Sequence, residues 1–245
     1  MNRFFLEPAQ IAGTNAFITG EDVKHIGKVL RLDIGDEVML CDGAGMDYLA
    51  RIEDVQKDVV QLAILQSIPS ITEPAHVVTL YQGLPKAGKM ELIIQKCVEL
   101  GLYSLVPVAA LRSIVKTNIK EFESKRIRYQ RVAYEAAKQA RRGIIPQITE
   151  LSSSFQEADM RQHDLLLIAD EEERSSSLKT VLLAHPGALN IGLVIGPEGG
   201  LERSEIDALK KKGGICLTIG PRILRTETAG MAALAMILYE LGDMA

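Results

Sequence analysis

The chain contains no tryptophan, three cysteines and few aromatic residues, which make up 4% of its 245 residues. Cys41, Cys97 and Cys216 lie far apart and form an odd set, so we expect no disulfide framework and a reducing compartment. The four histidines are isolated, and neither His-x-x-x-His nor Cys-x-x-Cys spacing occurs. The sequence therefore argues against a metal site.

Long hydrophobic runs and several well-known catalytic sequences are also missing. No apolar run approaches the roughly 20 residues that span a bilayer, and the first residues lack the apolar segment of a signal peptide. We therefore expect a cytoplasmic protein without a membrane partner. The complete phosphate loop ending in Lys-Ser or Lys-Thr and the nucleophile sequence Gly-x-Ser-x-Gly are absent. A Rossmann glycine sequence does not open the α/β region either.

Charge is distributed unevenly along an otherwise acidic chain. The net charge is −4 and the pI is about 5.7, so an anionic partner must be bound by a local surface. Between Arg112 and Arg142 positive residues greatly exceed the three glutamates. The periodicity predicts an amphipathic helix near 121–141 whose cations face outward. This imbalance favours a phosphate-binding surface over an ordinary solvated helix.

The first seventy residues are rich in predicted strands. A meander is expected at 37–41, 46–55 and 59–65, interrupted by one helix. Thr19 and Asp22 resemble a capping box, and the predicted apolar face contains Val23, Ile26, Val29 and Leu30. The opposite face carries Lys24, His25, Lys28 and Arg31. Those residues fit either a nucleic-acid backbone contact or a solvated surface.

The stretch from Pro69 to Pro74 has linker composition, which predicts domains at 1–72 and 73–245. Strands and helices then alternate, as in a mostly parallel sheet covered on both faces. Strands are expected at 77–82, 105–108, 145–149, 164–169, 191–195 and 215–219, and further helices at 89–100, 178–184 and 229–241. The last helix is apolar nearly all round, so it must be buried within the fold or against a second subunit.

Two of the predicted strands end in matching loops. The strand at 191–195 enters Gly196-Pro197-Glu198-Gly199-Gly200, and the strand at 215–219 enters Gly220-Pro221. Ligands of open α/β sheets bind outside the carboxyl ends of the strands. Glycine lets the backbone approach a ligand, and proline stiffens the loop. The pair of loops therefore predicts one pocket.

The same residues carry a family resemblance. Gly196-Pro197-Glu198-Gly199-Gly200-Leu201, followed by Ile219-Gly220-Pro221-Arg222-Ile223-Leu224-Arg225-Thr226-Glu227-Thr228-Ala229, resembles the signature of the bacterial 16S rRNA uridine N3-methyltransferases. These enzymes belong to the SPOUT superfamily. Further family blocks occur in the expected order: His25-Ile26-Gly27-Lys28-Val29-Leu30-Arg31, Lys96-Cys97-Val98-Glu99-Leu100-Gly101, Arg112-Ser113-Ile114-Val115-Lys116 and Glu135-Ala136-Ala137-Lys138-Gln139.

The resemblance implies an α/β protein with an N-terminal PUA-like β-barrel that helps to hold RNA. It implies a C-terminal SPOUT domain with a deep trefoil knot at roughly 190–240, S-adenosyl-L-methionine as cofactor, and 16S rRNA or the small ribosomal subunit as partner. Family members act as homodimers, which agrees with the apolar last helix.

Site residues are expected from the resemblance and from the chemistry. The cofactor residues are Ile195, Gly196, Pro197, Glu198, Gly199, Ile219, Gly220, Leu224, Arg225 and Ala229. Arg225 is the leading candidate to stabilise the anion of deprotonated uridine, or else it forms an ion pair at a helix end or an interface. Glu198 and Glu227 are candidate proton acceptors, or else a loop support and a helix cap beside Thr226. The RNA contacts are Lys28, Arg31, Arg112, Lys116, Arg141 and Arg142.

Two other functions remain open from the sequence. A related SPOUT methyltransferase acting on another rRNA or tRNA nucleotide would share the cofactor residues and differ in its RNA surface. A non-catalytic RNA-binding or ribosome-assembly protein would keep the basic surface without needing both Gly-Pro loops.

Overall fold

The proline-bounded linker at 69–74 separates two units of the chain. The computed structural model describes residues 1–86, 88–115, 117 and 119–244, without the side chain of Ile119. One unit contains Met1–Glu73 and Ala137–Ile145; the other contains Pro74–Ala136 and Pro146–Ala245. The predicted division placed 137–145 in the second domain. Local composition could not show that 137–145 belongs to the first unit, because this segment contacts residues about a hundred positions earlier in the chain.

Six strands form one sheet in the first unit. They are β1 (Arg3–Phe5), β2 (Ile11–Ala12), β3 (Asn15–Thr19), β4 (Glu37–Cys41), β5 (Met46–Val55) and β6 (Val59–Pro69). The order is β1-β4-β5-β6-β3-β2, and all neighbours are antiparallel except β1 and β4. The predicted meander is β4 to β6. The other three strands were not predicted: β1 and β2 have three and two residues, too few for a period of two to be read, whereas β3 does alternate in burial.

The helix of the first unit differs from its prediction. α1 (Glu21–Lys24) continues directly into a π-helical segment, His25–Leu30. The predicted capping box is wrong, because Thr19 ends β3 and Gly20, with φ of 75°, precedes the helix. A π-helix has more residues in each turn than an α-helix, so the buried face rotates along the segment. Val29 is accordingly 65% exposed.

Residues 137–145 are fixed in the first unit by polar contacts. The carbonyl of Gly143 accepts a hydrogen bond from the N–H of Gly45 at 3.0 Å. Arg142 and Glu73 form an ion pair whose side chains are 4% and 12% exposed. The carboxylate of Glu73 also accepts from the N–H of Gly143 at 2.7 Å. These contacts tie the segment to the end of the linker.

Strands and helices alternate in the second unit, as predicted. The elements are β7 (Val77–Gly83), α2 (Lys89–Glu99), β8 (Ser104–Val108), α3 (Ile119–Gln139), β9 (Gln147–Ile148), β10 (Leu165–Ala169), α4 (Leu178–Ala184), β11 (Asn190–Ile195), α5 (Arg203–Lys211), β12 (Ile215–Leu217) and α6 (Thr226–Glu240). From Ala137 onward, α3 belongs to the first unit.

The six strands of the second unit are all parallel, in the order β12-β10-β11-β7-β8-β9. Their side chains are buried on both faces, which explains the continuous apolar runs in the sequence. The chain leaves β7 toward β8 and later returns to its other side as β11. Such a reversal opens a crevice at the carboxyl ends of the strands. Both Gly-Pro loops lie at this edge.

The last helix, α6, packs against α2, α4, β7 and β11. It begins at Thr226, three residues earlier than predicted. Its buried face contains Gly230, Ala233, Leu234, Ile237 and Leu238, whereas Met236 and Tyr239 are 39% and 71% exposed. The fold thus buries one side of this apolar helix. None of the helices within the described ranges has the length and hydrophobicity that a bilayer span requires.

Candidate active site

The loop after β11 turns too tightly for side chains at its glycines. A Cβ on Gly196 would lie 2.9 Å from the carbonyl carbon of Gly200. At the end of β7, a Cβ on Gly83 would lie 2.7 Å from the ring of Pro197. Glycine at these positions therefore lets β7 and the loop after β11 approach each other closely.

The loop after β12 is fixed by backbone conformation and by one hydroxyl group. Gly220 has φ of 137°, a value that side-chain-bearing residues rarely adopt. The hydroxyl of Thr218 donates to the carbonyl of Gly220 at 3.0 Å and accepts from its N–H at 3.2 Å. The second Gly-Pro loop is therefore held in one conformation.

A chain of hydrogen bonds connects three elements at the edge of the sheet. The Thr226 hydroxyl donates to the carbonyl of Gly196 at 2.6 Å and accepts from Nε2 of Gln82 at 2.9 Å. Gln82 and Thr226 are 0% and 5% exposed. Thr226 does not cap the helix, because the N-cap residue is Arg225 and the Thr226 hydroxyl is bound to Gly196 and Gln82. The buried hydroxyl instead joins the start of α6 to the loop after β11.

Lys89, the first residue of α2, joins the two candidate proton acceptors. Its Nζ lies 3.0 Å from Oε1 of Glu198 and 3.0 Å from Oε2 of Glu227. Glu198 also accepts a 3.0 Å hydrogen bond from the N–H of Lys86. Sequence reasoning missed Lys89, although its place after the loop at the end of β7 was a usable signal. The three charged groups form one cluster, the Lys89 cluster.

The Lys89 cluster keeps both carboxylates ionised. Burial would raise the pKa of Glu198, but the N–H of Lys86 and the ammonium group of Lys89 outweigh it and lower the pKa. Burial would also raise the pKa of Glu227, but a backbone N–H and the ammonium group of Lys89 outweigh it and lower the pKa. Hydrogen bonds to Glu227 and Glu198 raise the pKa of Lys89. Glu198 and Glu227 are therefore weaker proton acceptors than free carboxylates.

A cavity of about 360 Å³ lies among these loops. It contacts nearly all the predicted cofactor residues, namely Ile195, Gly196, Pro197, Glu198, Ile219, Gly220, Leu224, Arg225 and Ala229. Gly199 does not line it; the carbonyl of Gly199 accepts a hydrogen bond from Arg112 at 3.2 Å. The lining also includes residues that sequence reasoning missed, among them Lys89, Asp170, Glu171, Arg174, Arg203, Thr218 and Arg222. Several follow β10, which ends without a Gly-Pro signal.

The cations around the cavity fall into two groups. Arg112 binds Glu202 at 2.7 Å, and Arg203 binds Asp170 at 3.1 Å. Arg222 and Arg225 are exposed, and within the described part of the chain neither guanidinium group forms a hydrogen bond or an ion pair, although the charge of Arg225 helps to lower the pKa of Glu227. A helix-end ion pair of Arg225 is thus absent from the described residues. Its guanidinium group remains available to a ligand.

The cationic surface of α3 is present in the second unit. Lys120, Lys125, Arg128 and Arg131 are exposed, while Phe122 is buried, as the periodicity predicts. Arg128 pairs with Glu91 at 2.9 Å. Lys116 lies outside the described residues. The remaining exposed cations keep this surface positive.

Four of the six predicted RNA contacts belong to the first unit. Lys28 and Arg31 are exposed, and Arg31 adopts a left-handed conformation with φ of 54°. Arg141 is exposed too, with φ of 56°. The assignment of Arg142 to RNA is wrong, because this residue is 3% exposed and its guanidinium group binds Glu73. The sequence could not distinguish the two neighbouring arginines.

Among the described residues, no three histidine, cysteine or acidic side chains are arranged to hold a metal ion. Each of the three cysteines is free and buried. Burial raises the pKa of Cys97 to about 12, which leaves its thiol protonated.

A parallel sheet with a cavity between two stiff loops at its carboxyl edge defines an α/β protein that binds a small molecule. Residues 72–238 match the family model described as an RNA methyltransferase domain, and residues 18–65 match that of an RNA methyltransferase PUA domain. The chain therefore belongs to the RNA methyltransferase family.

Individual relatives agree with this assignment. Ribosomal RNA small subunit methyltransferase E of Bacillus subtilis is 36% identical, and the match covers 98% of this chain and 97% of the relative. The protein of the same name from Synechocystis is 32% identical, over 96% of this chain and 76% of the relative. A crystal structure of the Neisseria gonorrhoeae protein of that name, bound to S-adenosyl methionine, is 28% identical with a TM-score of 0.81. It covers 98% of this chain and 97% of the other.

Proposed function

We propose that this protein transfers a methyl group from S-adenosyl-L-methionine to N3 of a specific uridine in the 16S rRNA of the small ribosomal subunit. The observation that carries this proposal is the free guanidinium group of Arg225 at a cavity between two Gly-Pro loops. The full-length similarity to rRNA methyltransferases supports the same reaction.

The cavity fits the cofactor in size and chemistry. Its volume of about 360 Å³ is within the usual range of roughly 300–1,000 Å³ for small-molecule sites. Ile195, Ile219 and Leu224 supply apolar walls, and Gly196, Gly200 and Gly220 bring the backbone of the loops to the cavity, where it would frame the adenosine. When bound, S-adenosyl-L-methionine supplies an electrophilic methyl group. The task of the protein is then to align the acceptor nitrogen with that group.

Arg225 acts on the acceptor. N3 of uridine carries a proton and is a poor nucleophile until that proton leaves. The resulting negative charge spreads onto the neighbouring carbonyl oxygens, which can accept hydrogen bonds from a planar guanidinium group. Since the guanidinium group of Arg225 forms no hydrogen bond or ion pair within the described residues, it can donate these bonds without first breaking others. We therefore assign Arg225 to stabilisation of the uridine anion.

Glu198 and Glu227 contribute less to the rate than Arg225 does in this mechanism. Both are already bound to Lys89, and both have lowered pKa values. Proton transfer to either would weaken the Lys89 cluster. We therefore assign most of the rate to anion stabilisation by Arg225, with one of the two glutamates as the acceptor of the proton.

Phosphate groups of the RNA would be bound by the exposed cations of each unit. The proposed contacts are Lys28, Arg31 and Arg141 in the first unit and Arg112 and Lys116 in the second. Arg222, which sequence reasoning did not assign, is added because it is exposed and unpaired among the described residues. We further propose that the first unit forms a PUA-like barrel, that the chain is knotted near 190–240, and that the protein acts as a homodimer in the cytoplasm.

A reconstituted reaction tests the proposal. Small subunits from cells lacking the gene are incubated with the purified protein and S-adenosyl-L-methionine, and the RNA is digested to nucleosides for mass spectrometry. We expect one 3-methyluridine for each 16S rRNA. A different methylated nucleoside would redirect the proposal to another RNA position, and the absence of any methylation would remove it.

A further inference from the structure

Lys89 has an unusual position among the charged residues of the cavity. It contacts the loop after β11 through Glu198 and the first turn of α6 through Glu227. The segments that carry these two glutamates also carry the cofactor residues, and Arg225 directly precedes α6. Lys89 itself belongs to a third element, α2.

We propose that Lys89 is a positioning residue: its ammonium group holds the loop after β11 and the first turn of α6 in register, so that Arg225 is directed at the uridine. This inference rests on the proposed methyl transfer and assigns a function to a residue that does not itself need to touch the substrate.

The structure separates this role from ordinary structural support. The buried hydrogen bond between Thr226 and Gly196 already ties the backbone of the two segments. Lys89, by contrast, is 24% exposed, lines the cavity and binds side chains. Its loss would leave the backbone tie in place but change the arrangement of the two carboxylates.

Electrostatic repulsion determines how the two carboxylates would rearrange without Lys89. Glu198 and Glu227 each contact the same ammonium group, so their carboxylates are close to each other. Without Lys89, two like charges would repel across the cavity. The two carboxylates would move apart around the Thr226–Gly196 hydrogen bond, and the first turn of α6 would tilt, which would shift the side chain of Arg225. A displacement of about 1 Å at a reacting group costs about 100-fold in rate.

Kinetics of five variants test the inference. Lys89→Met removes the charge, Lys89→Arg keeps it but moves its centre, and Lys89→Met/Glu198→Gln also removes one repelling carboxylate. Lys96→Met is the control, since Lys96 lies on the same helix and pairs with Glu99 at the surface. The measurements are kcat, KM for the RNA and the dissociation constant of S-adenosyl-L-methionine.

We expect Lys89→Met to lower kcat by about 100-fold with little change in either binding constant. Because Glu198 is also a candidate proton acceptor, the double variant is compared with Glu198→Gln alone; it should lose far less than 100-fold, because the repulsion is relieved. Lys89→Arg should lower kcat by about 10-fold at an unchanged unfolding midpoint, and it remains informative if Lys89→Met does not fold. Wild-type kcat in a Lys89 variant, or a loss on Lys89→Met that is as large in the Glu198→Gln background as in the wild type, would overturn the inference.

Hydrogen exchange provides a readout that does not depend on catalysis. Amides of 196–202 and 225–230 should exchange faster in Lys89→Met than in Lys96→Met, since the two segments lose their shared side-chain contact. Equal exchange in the two variants would refute the positioning role. If the wild-type protein methylates no RNA, the proposed function is rejected. The exchange measurement still shows whether Lys89 stabilises these two segments.

Discussion

The hydroxyl of Thr226 donates a 2.6 Å hydrogen bond to the backbone carbonyl of Gly196. It can serve as the donor there because Nε2 of Gln82 occupies its acceptor side. The first residue of α6 is thereby attached to the first residue of the loop after β11. The cavity lies between segments that are connected by this buried contact.

Replacing Thr226 by valine should destabilise the protein and weaken cofactor binding. The substitution keeps the shape but leaves Nε2 of Gln82 and the carbonyl of Gly196 without their shared partner, at a cost of about 1–3 kcal/mol. Urea unfolding and calorimetry with S-adenosyl-L-methionine measure the two effects. Thr228→Val is the matched control, since Thr228 is exposed on the same helix. Equal stability of the two variants would contradict the role of the buried hydroxyl.

Substitution of Gly220 tests the effect of backbone conformation without an effect of steric crowding. A Cβ at Gly220 or at Gly187 would meet nothing within 4 Å, but only Gly220 has a positive φ, 137°. We expect Gly220→Ala to cost about 1–3 kcal/mol in unfolding free energy and to lower cofactor affinity. Gly187→Ala should cost less and leave affinity unchanged. Similar behaviour of the two variants would show that the loop conformation is not required.

Arg225→Ala should lower turnover by about 100-fold or more, because stabilisation of the uridine anion is lost. Cofactor affinity should fall much less, since the adenosine is expected to be bound by backbone groups and apolar side chains. Single-turnover methylation and calorimetry measure the two quantities. Lys210→Ala on α5 controls for loss of a positive charge. If Arg225→Ala keeps the wild-type rate, the anion is stabilised by another group.

The adjacent residues Arg141 and Arg142 should respond in opposite ways. Arg142→Ala leaves Glu73 without its buried partner and should cost about 3–5 kcal/mol of stability. Arg141→Ala should leave stability unchanged and reduce RNA affinity, with a shallower dependence on salt. Thermal unfolding and RNA binding at several salt concentrations separate the two outcomes. An RNA defect in a fully stable Arg142→Ala protein would restore Arg142 as an RNA contact.

Lowering the pH should reduce the free energy of unfolding, because the carboxylates of the Lys89 cluster become protonated. The pKa values of Glu198 and Glu227 lie below the ordinary 4.5, so these groups stabilise the folded state above that pH. Their contribution is lost as pH falls through the lowered values. Glu198→Gln should flatten the acid side of the stability curve, measured by urea unfolding from pH 6 to pH 3. Glu157→Gln, at an exposed position, should not; an equally steep curve in Glu198→Gln would contradict the pairing.

Much of the fold could be predicted because its signals are local. Buried parallel strands leave continuous apolar runs, and the predicted 178–184 helix is confirmed at both ends. The pocket was predictable for a similar reason, since each Gly-Pro loop follows a strand. The π-helical segment at His25–Leu30 could not be predicted, because its winding changes the period on which such reasoning depends.

Contacts between distant residues account for the other differences. Lys89 and Glu198 are more than a hundred positions apart, and no local pattern indicates that they pair. The same limit applies to Arg142 with Glu73, whose burial reversed a predicted surface role. Charged residues lie on the surface by default, so an ion pair formed across the fold appears only in three dimensions.

The modified nucleosides of 16S rRNA in cells report whether this chain methylates a uridine there. 16S rRNA is isolated from cells with the gene, from cells without it, and from deletion cells that carry either the wild-type gene or the Arg225→Ala variant, and its modified nucleosides are quantified by mass spectrometry. We expect one 3-methyluridine to disappear on deletion, to return with the wild-type gene and not to return with the variant. Unchanged 3-methyluridine in the 16S rRNA of the deletion strain would show that this chain does not make that modification.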